Sequence, residues 1–177
     1  MKDILCEKEI SKHLNDEYNI KVFDEIDSTN IYLKQLAKNN AEPHTVIIAN
    51  TQTSGHGRFD RKFHSPKNSG IYMSVLLKPD LEAEKSVLLT AAAAVAVNEA
   101  VFSLTGKKTE IKWVNDILLE GKKVCGILTE GAINPKTLKF DWAIIGIGVN
   151  VYTPENDFNS EIKNIAGAVS EKTQENL

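Results

Sequence analysis

"KVCGILTEGAI" (123–133) and "KFDWAIIGIGVNV" (139–151) are two apolar runs, separated only by the short stretch "NPKTL". Runs of this kind bounded by turn residues read as neighbouring strands. Upstream, "TEIKW" (109–113) and "DILLE" (116–120) read as shorter strands, and "EGKK" (120–123) as a hairpin turn. Further out, "IKVFDEI" (20–26), "TVIIAN" (45–50) and "GIYMSVLLKP" (70–79) supply three more strands. Two helices complete the map. One follows the capping residues "DSTN" (27–30), with Ile31, Leu33, Leu36 and Ala37 on one face, to about Lys38. The other runs from about Glu82 to Leu104, its Ala91–Ala94 run allowing close approach and Gly106 standing as a C-cap. Many strands, two main helices and adjacent hairpins predict an α+β fold with a mixed, largely antiparallel sheet. The absence of regular βαβ alternation argues against a Rossmann arrangement.

The totals bound the function. A chain of 177 residues, 42% hydrophobic and 25% charged, is most simply one globular domain. The formal net charge is −3, so any anion-binding site is a local concentration of cations. Cys6 and Cys125 have no partner at metal-ligand spacing and are expected as reduced thiols. The first twenty residues are too polar for a signal peptide, and "VLLTAAAAVAV" (87–97) is too short to span a bilayer. "FNSEIKNIAGAVSEKTQENL" (158–177) begins like an amphipathic element and ends in polar residues.

Three stretches carry chemistry. In "SGHGRFDRKFHSP" (54–66), Gly55 and Gly57 permit positive φ and leave backbone N–H groups open to an anion. Arg58, Arg61, Lys62 and Lys67 add charge, and Phe63 suggests a lid with an apolar inner wall. A solvated basic loop is the alternative. In "IKWVNDILLEGKKVCGILTEG" (111–131), Lys112 and Lys123 lie in or beside strands, as inward cations or as exposed strand ends. Gly126 in a strand interior implies a close approach to the backbone. In "IIGIGVNV" (144–151), Gly146, Gly148 and Asn150 share one strand face, which either admits a flat ligand or marks a bulge. "DSTN" is an N-cap whose hydroxyls and N–H groups could also meet a polar ligand.

In this order, "DSTN", "QTSGHGRFDRKFHSP", "KWVND", "KKVCGIL" and "GIGVNV" resemble the catalytic domain of a biotin protein ligase, over about residues 20 to 151. The resemblance implies a central mixed sheet with helices on one side. It also implies activation of biotin with ATP and Mg²⁺ to biotinyl-5′-AMP, then transfer to a lysine of a biotin carboxyl carrier domain of a carboxylase. On that basis Ser28, Thr29, Asn30 and Gln52 would hold the biotin head, with backbone at Gly55, His56 and Gly57. Phe63, Gly126, Ile127, Gly146 and Gly148 would line its apolar pocket. Arg58 and Arg61 would fold over the adenylate. Lys123 would contact the biotin carboxylate and α-phosphate, and Lys112 the phosphates. Asn115 and Asn150 would lie near the adenine, and Asp116 near the reacting centre. No residue-held metal site is implied.

Four positions depart from the family pattern. His56 and Asp60 replace an arginine and a glycine of the loop, Val114 replaces a proline, and Phe63 stands where tryptophan is common. Neither the N-terminal helix-turn-helix of repressor-type ligases nor the C-terminal β-barrel is seen. The expectation is a single catalytic domain over 1–177, cytoplasmic, monomer or homodimer, without direct DNA or membrane binding. The rival expectations are a lipoate or octanoate ligase of the same fold, and a non-catalytic binder of biotin or adenylate.

Overall fold

In the computed structural model, which describes residues 5–14 and 17–170, the expected long pair is the centre of a seven-stranded sheet. The elements in chain order are α1 (Glu7–Ser11), β1 (Asn19–Phe23), α2 (Thr29–Lys38), β2 (Thr45–Ala49), β3 (Gly70–Leu77), α3 (Ser86–Thr105), β4 (Glu110–Lys112), β5 (Asp116–Leu119), β6 (Lys122–Ile133) and β7 (Phe140–Asn150). Strand order is β1-β2-β3-β7-β6-β5-β4. Only β1 and β2 run parallel; the remaining pairs are antiparallel. The α+β class and the mixed, largely antiparallel sheet are those expected. Among the described residues before β1 lies one short helix, α1, that no sequence pattern announced.

Local chemistry explains the joints. Glu120 and Gly121 both have positive φ (51° and 76°), the backbone of the tight primed turn that matches strand twist, and so β5 folds back onto β6. Gly106 adopts φ 69° at the end of α3, and its N–H bonds to Phe102 O at 2.8 Å, closing the helix as expected. β1 stops at Phe23, three residues before the predicted end, and Ile26 makes only an isolated bridge with Gln52.

The helices do not share one side of the sheet. Consecutive residues of a strand point to opposite faces. On β7, Ile144 packs with Leu33 and Ala37 of α2, while Ile145 packs with Ala93, Ala94 and Val101 of α3. On β6, Glu130 bonds to Asn30 and Lys34 of α2, and Thr129 to Thr90 of α3. So α2 and α3 cover opposite faces, and the implied one-sided packing is corrected by this alternation. With its preceding turn, α3 spans Ala83–Thr105, 23 residues, long and apolar enough by length and composition to cross a membrane. The 87–97 run had seemed too short because it is only the middle of that segment. Here Ala93, Ala94 and Val101 fasten it to the sheet. Cys6 is exposed and Cys125 buried, and both are free thiols.

Candidate functional site

The face that carries α2 also carries the motifs. Ser28, Thr29 and Asn30, in the first turn of α2, are all buried. Ser28 occupies the N-cap position, but its side chain makes no capping bond; its backbone N–H goes instead to Asp27 Oδ1 at 2.6 Å. The Thr29 N–H and hydroxyl both donate to Gln52 Oε1, at 2.9 and 3.1 Å. Gln52 Nε2 donates onward to Ser65 Oγ at 2.9 Å. From β3, the Ser74 hydroxyl lies 2.7 Å from Thr29 Oγ1 and 2.5 Å from Asn30 Oδ1. Asn30 Nδ2 donates to Glu130 Oε2 at 3.0 Å, and the other Glu130 oxygen pairs with Lys34, also at 3.0 Å. Burial pushes the Glu130 carboxyl up, but the bonds from Asn30 and Lys34 and the nearby cationic charge prevail and hold it below its ordinary value.

Glycines shape the floor beside this network. A Cβ at Gly146 would overlap the Asn30 amide, one at Gly148 the Phe63 ring, and one at Gly126 would lie 3.0 Å from that ring. Phe63 therefore lies over two strands, 6.3 Å edge-to-face from Tyr72. With the ring as one wall, the cavity between α2 and the glycines measures ≈ 50 Å³. A second cavity, ≈ 230 Å³, adjoins it and shares Gly57, Arg58, Phe63, Asn115 and Lys123 with the first.

A polar chain runs along the shared wall. Arg58 Nη1 donates to Asn115 Oδ1 at 3.0 Å, and Asn115 Nδ2 donates to Asp116 Oδ1 at 3.1 Å. The same Asp116 oxygen pairs with Lys123 Nζ at 2.6 Å. Lys123 is gripped at its backbone as well: its N–H bonds to Ile165 O at 2.7 Å, and its carbonyl accepts from Gly167 N at 2.9 Å. An ammonium so placed can face anions from both cavities at once.

Residues 22–150 match the profile of the Biotin/lipoate A/B protein ligase family. The chain belongs to that family. It is 43% identical over 154 residues to the bifunctional ligase/repressor BirA of Bacillus spizizenii, covering 87% of this chain and 47% of that protein. It is 34% identical over 129 residues to the biotin–[acetyl-CoA-carboxylase] ligase of Mycobacterium tuberculosis, covering 70% of this chain and 46% of the relative. The chain thus spans about half the length of these curated relatives. Among solved structures, the biotin protein ligase of Aquifex aeolicus in complex with biotin and ATP superposes with a TM-score of 0.69 at 34% identity, covering 85% of this chain and 59% of the other.

Within this ligase-family fold, the first cavity brings together Ser28, Thr29, Asn30, Gln52, His56, Gly57, Phe63, Gly126, Ile127, Gly146 and Gly148. The second gathers Arg58, Arg61, Asn115, Asp116, Lys123 and Asn150. Gly55 is buried beneath the loop, where a Cβ would lie 2.7 Å from Ser65 Oγ, so close packing is its reason. Neither loop glycine has positive φ; the left-handed residue is Phe59, at φ 57°. Of the two readings of Lys112, the exposed strand end is the one seen. It is exposed on β4, the edge strand, and lines neither cavity. Asn150 is buried, with its amide donating to Gly167 O at 3.0 Å, so it anchors the wall more than it offers a free handle. The Asp60 side chain lies outside what is described, as do the last seven residues of the 158–177 stretch.

That stretch holds what the motifs missed. Phe158, Ile162, Ile165 and Ala166 form an apolar wall of the second cavity, the amphipathic element taking the form of an irregular turn. The apolar residues within "FNSEIKNIAGAV" were the available signal.

Proposed function

We propose that this chain activates biotin with ATP to biotinyl-5′-AMP and passes the biotinyl group to a lysine of a biotin carboxyl carrier domain. The observation that carries the reading is Lys123, held by Asp116 on the wall common to both cavities. Biotin's carboxylate oxygen must bond to the α-phosphorus as pyrophosphate leaves, so one anion has to approach another. Two like charges ~4 Å apart repel by about 4 kcal/mol at an effective dielectric near 20, roughly a thousandfold in rate. A fixed ammonium between them offsets this and stabilises the charge that moves in the transition state.

The first cavity suits the biotin head. Its buried hydroxyls and amides are already oriented by one another, and its glycine floor and Phe63 can enclose a compact bicyclic head with a planar ureido ring. The second suits the nucleotide, with Arg58 and Arg61 for phosphates and the 158–166 wall for an apolar ring face. Lys112, outside both cavities, has no part in this reading. Mg²⁺ would travel with the phosphates and neutralise their charge, with Asp116 as the carboxylate at that cavity. In the second step the carrier amine bonds to the acyl carbon, the acyl–phosphate bond breaks and AMP departs. Asp116 is also the candidate to take the amine's proton. ATP and a carboxylase carrier as co-substrates fit a reaction in the cytoplasm.

Biotin-, lipoate- and octanoate-dependent ATP–pyrophosphate exchange, run in parallel, tests this. Exchange with biotin alone is expected. Exchange with lipoate or octanoate instead moves the chain to the lipoyl branch of its family, and tight biotin binding without exchange makes it a binder.

A further inference from the structure

Phe59 is placed where a phenylalanine is least comfortable. Its side chain is 81% exposed, and its backbone sits in the left-handed region at φ 57°, ψ 42°, which bulky residues rarely adopt. Both features cost stability, and the ring contact recorded for Phe59 among the described residues is the Arg58 guanidinium, 5.0 Å above the ring centroid. The ring nonetheless lines the second cavity, whose other apolar wall is built by Phe158, Ile162, Ile165 and Ala166. Of the three phenylalanines there, Phe63 is turned down onto Gly126 and Gly148 and Phe158 is buried. Phe59 is the one that offers an open ring face.

An open aromatic face, an aliphatic wall and a guanidinium together match a flat heteroaromatic ring joined to a phosphate. We propose that Phe59 is a positioning residue that stacks on the nucleobase of the bound nucleotide and retains the adenylate once it has formed. The inference rests on the nucleotide half of the function proposed above. Base-on-aromatic stacking tolerates a mobile partner, because any planar ring offers a π-face, so a loop residue can serve. The guanidinium on the ring would be carried with it towards the phosphate.

The test uses the whole chain with Phe59→Trp and Phe59→Ala. Tryptophan emission of the Phe59→Trp variant, taken as a difference from wild type because Trp113 and Trp142 are native, is titrated with AMP and with ribose 5-phosphate. Quenching by AMP and none by ribose 5-phosphate is expected. In stopped-flow chase, Phe59→Ala should release biotinyl-5′-AMP about tenfold faster than wild type, with a much smaller change in biotin release. Phe59→Trp should restore slow release. Equal quenching by ribose 5-phosphate overturns the proposal, as does adenylate release unchanged by Phe59→Ala, or biotin release accelerated to the same degree. If wild type shows no biotin-dependent exchange, the ligase reading fails, yet the AMP and ribose 5-phosphate titrations still decide the role of Phe59.

Discussion

The two cavities are built on opposite principles. Around the first, Thr29, Gln52, Ser65, Ser74, Asn30 and Glu130 hold one another in a closed set of hydrogen bonds, mostly buried, on α2 and the central strands. Around the second, Arg58, Phe59 and Arg61 are exposed, and Ile165 is 61% exposed on an irregular turn. A neutral, rigid ligand head is best met by groups that need no reorganisation, whereas a charged intermediate that must be enclosed and then released calls for groups that move. Lys123 stands where the two designs meet, and its removal should do the most damage. Lys123→Ala is expected to lower the rate of biotin-dependent pyrophosphate exchange by about a thousandfold, from the repulsion it no longer offsets. A variant that exchanged at the wild-type rate would remove the ammonium from the mechanism.

Breaking the preformed side should tell on biotin rather than on ATP. Gln52 bridges Thr29 and Ser65, so Gln52→Ala leaves the buried Thr29 N–H without its partner and takes one bond each from the Thr29 and Ser65 hydroxyls, which keep those to Ser74 and to the Phe63 carbonyl. Each unsatisfied buried group costs about 1–3 kcal/mol, so biotin affinity should fall by about tenfold or more, with ATP affinity nearly unchanged. Isothermal titration with each ligand separates the two, and an equal loss for both would mean that the cavities are not independent. Breaking the open side should act on release. Arg58→Gly removes a charge and its bond to Asn115, and biotinyl-5′-AMP should escape roughly tenfold faster in a stopped-flow chase, with biotin affinity little altered.

The same contrast governs what the chain discloses before folding. The strands were legible because "TVIIA" and "AIIGIG" are continuous apolar runs, and β2 is buried along its whole length. Continuous rather than alternating runs also signal a sheet covered on both faces. That pattern agrees with α2 and α3 lying on opposite sides, where the family-level expectation placed the helices on one. The first cavity could be read almost completely, since most of its residues sit in short motifs on α2, the central strands and the 52–63 loop. The second could be read only in part. Its apolar wall depends on residues 158–166 being drawn in by the Lys123 backbone and by the Asn150 amide, contacts that no local pattern encodes. Lys112 stayed open between two readings because strand periodicity does not say which strand will be the edge.

The smallest expected effect tests how the preformed side is anchored. Glu130 ties β6 to Asn30 and Lys34 of α2, and its carboxyl is held below the ordinary glutamate value of 4.5 despite the opposing pull of burial. A carboxyl with a depressed folded-state pKa adds stability above its unfolded pKa and loses it as pH falls through the folded one. Glu130→Gln keeps the shape and can still accept from Asn30, but it discards the charge facing Lys34. Its melting temperature should therefore lie slightly below that of wild type at neutral pH, and the two should converge as the pH is lowered past 4.5. A gap that stayed constant across that range would show that packing, rather than the ionised carboxylate, secures the first turn of α2 over Gly146.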